Sequence, residues 1–305
     1  MIEFGVCVPH YGKPMEIERI LEVARRAEEL GFASVWVTDH LFVPRTLEII
    51  YRDNMLEPIT LLSHLAAVVS RLRLGTSVII LPYRNPIVVA KMLATIDQLS
   101  GGRVIFGAAV GWMEPEFQAL NAPFAERGVL SDESLQVIRD LWTGRVVSHH
   151  GTFFHYEDMQ ASPPPVQPSG PPIWIGGNSA RARRRVATLG DGWHTSGLNA
   201  AAMAPGCKHL QELWEGHGRP GKPTLSARLD LSIDGVSQAV LAYAPRPGRP
   251  VRMPLSGSVA AVVDQIGAFQ EIGVTHLVFE TSTQSHASTL ATMETFMQKV
   301  HPQLG

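Results

Sequence analysis

Residues Leu72–Val110 read LRLGTSVIILPYRNPIVVAKMLATIDQLSGGRVIFGAAV, and this stretch decides the fold. An apolar, β-branched run over Leu72–Ile80 is followed by a segment of helical period over Asn85–Leu99, then by a second apolar run over Val104–Val110. Strand, helix and strand in that order form a βαβ unit, which calls for a parallel sheet. Working outward, the pattern repeats. Strands are expected at Ile2–Val8, Ser34–Thr38, Ile173–Gly176, Trp193–Ser196, Leu225–Ile233 and His276–Glu280. The other helices are expected near Glu16–Leu30, Glu57–Val69, Ala125–Trp142, Ser179–Leu189, Pro205–Trp214, Ser258–Ile272 and Ala287–Val300. Eight strands in strict alternation favour a closed (β/α)8 TIM barrel of the α/β class over an open sheet, because closure removes both edges. The barrel is expected to occupy the chain, 1–305, as a single domain.

Two segments break the rhythm. Gly144–Pro172 carries a hairpin, Val146–His150 and Thr152–Tyr156 around Gly151, and a proline-rich return at Pro163–Pro165. It reads as an insertion between the fourth helix and the fifth strand. Tyr243–Pro254 holds Pro245, Pro247, Pro250 and Pro254, a density that marks a surface loop and suits a lid.

Composition narrows the function classes. The chain is 45% hydrophobic and 18% charged with a formal net charge of -2, which suits a buried core and argues against a nucleic-acid footprint. Its two cysteines, Cys7 and Cys207, support neither a disulfide framework nor a cysteine metal site, and no metal is expected. No basic, apolar leader opens the chain and no run is long enough to span a bilayer, so a soluble cytoplasmic protein is expected.

In such barrels the reacting groups stand at the carboxyl ends of strands. Strand two ends in Thr38-Asp39-His40, a carboxylate beside an imidazole able to move protons near neutral pH. The competing reading is a turn cap and a packed loop histidine. In strand three the small polar residues Thr76 and Ser77 interrupt the apolar run before Val78, as a bulge beside a ligand does, and this reading is favoured over a strand with two locally satisfied hydroxyls. Strand five runs into Gly176-Gly177-Asn178-Ser179 and a helix bearing Arg181, Arg183, Arg184 and Arg185. Close backbone approach, free N–H groups and positive charge outline an anion site, with Arg181 in the first turn best placed to help, but the same residues also open ordinary helices. Strand four leads to Gly111-Trp112 with Glu116 following, a ring contact and a carboxylate or simply core. His10, Tyr11 and Glu116 are expected to face a small-molecule substrate. No lysine ends any strand, which disfavours a Schiff-base lyase.

Taken together, Asp39-His40, Arg73–Pro82, Asp97–Trp112 and Pro172–Trp193 resemble the luciferase-like family of flavin and deazaflavin oxidoreductases. The strings Ala94–Arg103 (ATIDQLSGGR) and Gly190–Trp193 (GDGW) are especially characteristic, and Val263–Phe279 is similar to the family's closing helix and strand. The likeness runs over nearly the whole chain and is greatest to the F420-dependent branch. It implies coenzyme F420, with FMN as the alternative cofactor, and His40 as acid/base with Asp39 orienting it. It further implies a bulge with a non-prolyl cis peptide at Ser77 and Val78 behind the cofactor ring, and Gly111 and Trp112 near the ring. Gly176, Gly177, Asn178 and Ser179 would hold the cofactor phosphate. The implied reaction is hydride transfer to or from a C=C, C=N or C=O bond or an alcohol. An FMN-dependent monooxygenase and a non-catalytic flavin-binding protein are the competing functions. The family likeness also implies a homodimer.

Overall fold

The computed structural model describes residues 2–12, 15–45, 54–238, 253–280 and 285–304. Strand β1 (Glu3–Cys7) lies between β2 (Ser34–Val37) and β11 (His276–Glu280), so the two ends of the described chain meet in one sheet. From β2 the order continues through β3 (Arg73–Thr76), β5 (Val104–Ala109), β8 (Ile173–Gly176), β9 (Gly192–Ser196) and β10 (Thr224–Asp230) back to β11, every pair parallel. A short β4 (Ile79–Ile80) also pairs with β5 and is the far half of the third stave. The break falls at the Ser77–Val78 peptide, which is cis. The result is the expected closed barrel of eight staves.

Helices alternate with the staves: α1 (Ile17–Leu30), α2 (Pro58–Val68), α3 (Pro86–Ser100), α5 (Arg127–Trp142), α6 (Ala180–Leu189), α7 (Ala200–Gly216), α8 (Val259–Glu271) and α9 (His286–Thr295). Helix α3 shows why these segments fold as they do. Asn85 accepts from the Ile87 N–H, Pro86 stands in the first turn, and Gly101 closes the helix at φ 69°. Its inner face carries Val89, Ala90, Leu93, Ala94 and Ile96 into the core. The ATIDQLSGGR string is a structural brace. Buried Asp97 accepts from Gln167 N–H (3.0 Å) and Gln167 Nε2 (2.8 Å), holding the return from the insertion. Arg103 donates to the carbonyls of Ser100, Leu72 and Ala66 at 2.7, 2.8 and 3.0 Å.

The barrel interior is more polar than the alternating runs suggest. Trp36 stacks on His194 (5.2 Å between centroids, 6° between planes) and on Trp174 (5.4 Å, 29°), with His276 against its edge. Gly5 and Gly75 leave room for this indole, because a Cβ at either would lie within 2.5 Å of its own nearest Trp36 ring atom. Burial pushes His194 down to about 3, helped by the Arg228 charge, and burial also lowers His276. Both rings are therefore neutral. One layer up, Arg228 pairs with Glu280 and donates to the Ser77 carbonyl (2.9 Å), with Thr38 Oγ1 and Tyr11 Oη each 3.3 Å away.

Several boundaries differ from expectation for identifiable reasons. The hairpin strands are β6 (Val146–His150) and β7 (His155–Gln160), not Thr152–Tyr156, because the N–H groups of Thr152, Phe153 and Phe154 are drawn to Glu133 and leave the ladder. Helix α7 begins at Ala200 with Pro205 inside it, since Asn199 caps the Ala202 N–H ahead of the proline. A short unforeseen helix, α4 (Glu114–Ala119), follows β5. The eighth helix ends in a π-helical turn over Phe296–Val300. Of the proline-rich stretch Tyr243–Pro254, all but Met253 and Pro254 lies outside the described residues, and so does the lid reading.

Candidate active site

The carboxyl ends of β2, β3, β5 and β8 bring His40, Val78, Gly111, Trp112 and Gly176 to one mouth. His40 is 5% exposed, and its Nδ1 lies 2.7 Å from Glu116 Oε2. Glu116 is fully buried and accepts also from Tyr83 Oη (2.8 Å), Leu41 N–H (2.5 Å) and Phe42 N–H (3.0 Å). Burial pushes its carboxyl up, but the hydrogen bond and charge of His40 and the two backbone N–H groups outweigh this and hold it below its ordinary value. Its charge, with burial as the larger cause, drives the Tyr83 phenol far upward. An ionised Glu116 accepts only, so His40 Nδ1 carries the hydrogen between them.

The expected division of labour between Asp39 and Glu116 is therefore corrected. Asp39 does not orient His40: its oxygens accept from both Arg84 Nη atoms (2.6 and 2.9 Å) and from Ile80 N–H (2.9 Å). It fixes the end of the third stave, with Glu57 holding Arg84 from the other side at 2.8 Å. Glu116, expected to face substrate, instead points inward to His40. The carboxylate comes from α4, 76 positions further along the chain, where Pro115 and the helix's brevity hid the element from periodicity.

His10 also departs from its expected place. Its Nδ1 meets the Val8 carbonyl at 3.0 Å and its Nε2 the Thr38 N–H at 3.1 Å, tying β1 to β2. Burial lowers its pKa. Tyr11 is 1% exposed and reaches inward toward Arg228. Thr76 Oγ1 donates to the Gly107 carbonyl (2.8 Å) and accepts the Gly107 N–H (2.9 Å), so its hydroxyl repairs the sheet where the stave breaks and does not face the mouth. Ser77 Oγ meets His194 Nε2 at 2.7 Å.

What remains at the surface of the mouth is a cradle. Val78 is only partly buried, and its methyls lie 3.0 Å from where a Cβ on Gly176 would be, with Ala109 at 3.3 Å. Gly111 turns at φ 76° beneath Ile80 and Phe117, and delivers Trp112 edge-on to His40 at 5.7 Å. Next to the cradle, Gly177 (φ 118°) and exposed Asn178 lead into α6, where Ser179 Oγ caps the Ala182 N–H. Asn178 exchanges hydrogen bonds with Ser196, and Arg183 reaches back to the Asn178 carbonyl at 3.1 Å. Arg181 is exposed on the first turn of α6. The first N–H groups of α6 and these arginines form a positive rim. A flat apolar floor, an adjoining imidazole and a positive rim fit a flavin-like ring carrying an anionic tail.

Sequence reasoning missed Tyr83, Arg84 and the Arg228–Glu280 pair. Charged residues inside the apolar runs of β10 and β11 were the available signal for the last two.

The fold and the mouth define a (β/α)8 barrel with its polar machinery at the carboxyl ends of the strands. The chain belongs to the luciferase-like monooxygenase family, whose profile matches residues 2–255. It is 28% identical over 289 residues to the Mycobacterium tuberculosis protein Rv0953c, covering 91% of this chain and 92% of that one. It is 34% identical over 148 residues, 48% of this chain and 40% of the other, to the FMNH(2)-dependent dimethylsulfone monooxygenase of Pseudomonas putida. The fold is shared with monooxygenase RslO1 from Streptomyces bottropensis (TM-score 0.84, 20% identity, all of both chains). It is likewise shared with the coenzyme F420 dependent tetrahydromethanopterin reductase from Methanopyrus kandleri (TM-score 0.80, 19% identity, 100% and 99% of the chains). Among the described residues no helix is long and apolar enough to cross a membrane.

Proposed function

We propose that the chain is an F420-dependent oxidoreductase in which His40 is the acid/base group and Glu116 holds it in register. The observation that carries this reading is the His40–Glu116 contact of 2.7 Å beside the Val78–Gly176 cradle. When bound, a reduced deazaflavin supplies a hydride to one atom of a C=C, C=N or C=O bond, or its oxidised form takes one from an alcohol carbon. His40 gives the balancing proton to the partner atom, or removes it in the reverse direction. Glu116 stays ionised and stabilises the imidazolium of the proton-loaded state. Val78, Gly111, Trp112 and Gly176 would seat the ring. Gly177, Asn178, Ser179 and Arg181 would hold the phosphate. Asp39 supports the cradle through Ile80 and Arg84, away from the reacting atoms.

FMN-dependent oxygenation is the second reading, favoured by the dimethylsulfone monooxygenase among the relatives. Parallel titration with F420 and FMN, followed by fluorescence, separates the two. Tight F420 binding with weak FMN binding, retained in His40→Ala while turnover falls, is the expected result. The reverse preference would sink the F420 assignment. We also propose that the chain forms a homodimer through the outer face of α3, where Ile87, Val88 and Met92 are 39%, 51% and 42% exposed.

A further inference from the structure

The insertion carries a second cluster of ligand-type side chains. His150 and His155 face each other across the β6–β7 ladder as paired residues, and Glu157 follows on β7. The two Nδ1 atoms stand 3.4 Å apart, and His150 Nε2 is 3.1 Å from Glu157 Oε1. One ligand atom from each of the three lies within 4.8 Å of the others, and all three residues are exposed. An N···N edge of a tetrahedral zinc site with ordinary Zn–N bonds is about 3.3 Å. The imidazole pair already stands at that spacing, and the exposed Glu157 closes the third side by turning about its own side-chain bonds.

The pair is held in place from below. Glu133 on α5 is 8% exposed and accepts the N–H groups of Thr152, Phe153 and Phe154 at 3.0, 3.0 and 2.7 Å. Gly151 is required there, because a Cβ would lie 2.0 Å from Glu133 Oε1. The same carboxylate meets His149 Nε2 at 3.4 Å, and His149 stacks on Tyr156. The four-residue connection between His150 and His155 is thus tied to a barrel helix, which fixes the backbone pairing that sets the two imidazoles side by side.

We propose that His150, His155 and Glu157 form a site for a divalent transition metal of the zinc class, with water completing the coordination. Two imidazoles and one carboxylate favour Zn2+, Cu2+ or Ni2+ over the hard cations Mg2+ and Ca2+. No standard ligand spacing announces the site in the sequence, since the pairing across the hairpin creates it.

Calorimetric titration of tag-free, full-length protein with ZnCl2 tests the proposal. One saturable equivalent at micromolar concentration is expected, lost in the His150→Ala/His155→Ala double variant. His155→Phe, which keeps a ring in the cross-strand pair but removes the ligand nitrogen, should lose it as well. Glu157→Gln should weaken binding by about tenfold or more. Failure to reach saturation below millimolar Zn2+, or binding that survives in both histidine variants, would overturn the site. Unchanged affinity in Glu157→Gln would overturn the three-ligand assignment.

Discussion

The proton-handling ability proposed for His40 depends on one buried carboxylate that accepts four hydrogen bonds. Glu116→Gln keeps the size and an acceptor oxygen but removes the charge that stabilises a protonated imidazole. With substrate and cofactor supplied, kcat/KM should fall by about 10²-fold or more, the range associated with loss of positioned acid/base help. Cofactor affinity should change little. A rate loss matched by an equal loss of cofactor affinity would place Glu116 in a purely structural role. Arg84→Ala should act on stability instead. It leaves the buried Asp39 carboxylate with the Ile80 N–H alone, and breaking such a pair costs about 3–5 kcal/mol, seen as a lower urea midpoint. At this scale the sequence showed that Asp39 and His40 end a strand, which is local information. Which carboxylate serves the imidazole depends on a contact between residues far apart in the chain, and no spacing rule reports that.

Along the third stave and its neighbours, glycine positions separate fold from cradle. A Cβ on Gly107 would lie 1.8 Å from the Thr76 carbonyl oxygen, backbone against backbone in adjacent strands, so Gly107→Ala should yield little soluble protein. A Cβ on Gly176 meets the Val78 methyls at 3.0 Å and Ala109 Cβ at 3.3 Å, side-chain contacts that a small shift relieves. Gly176→Ala should therefore fold, with its thermal midpoint close to that of the parent, and lose affinity for the cofactor in the fluorescence titration. Equal damage from both changes would show that the cradle is merely packing. Element existence was readable because β-branched runs and helical periods each depend on their own residues. The boundaries that slipped were set by partners elsewhere: Glu133 pulling residues 152–154 out of a strand, and the Asn199 cap starting α7 ahead of its proline.

Across the whole molecule, the buried neutral histidines make stability fall on the acid side. His10, His194 and His276 all have folded pKa values lowered by burial from an ordinary 6.5, His194 to about 3. Above 6.5 neither state binds the protons and the stability is complete. As pH falls below 6.5 the unfolded chain takes up protons that the folded barrel refuses, and each such group removes about 1.4 kcal/mol per pH unit until its own folded pKa is reached. Depressed Glu116 adds to this below its ordinary 4.5. The thermal midpoint should start to drop just under pH 6.5, and His194→Gln should make the slope shallower by one proton. A midpoint flat down to pH 4.5 would contradict the neutral assignment. Light scattering should give a mass near twice 33.3 kDa, reduced to one chain by Val88→Glu with Met92→Lys. The packed layer of Trp36, Trp174, His194 and His276 has one more result. Because it blocks the barrel below the mouth, the mouth has, among the described residues, no opening from beneath, and traffic through it is ordered. Whatever settles against Val78 must arrive before, and depart after, anything lying on top of it, so the kinetics should follow a compulsory sequence with the deeper molecule first in and last out.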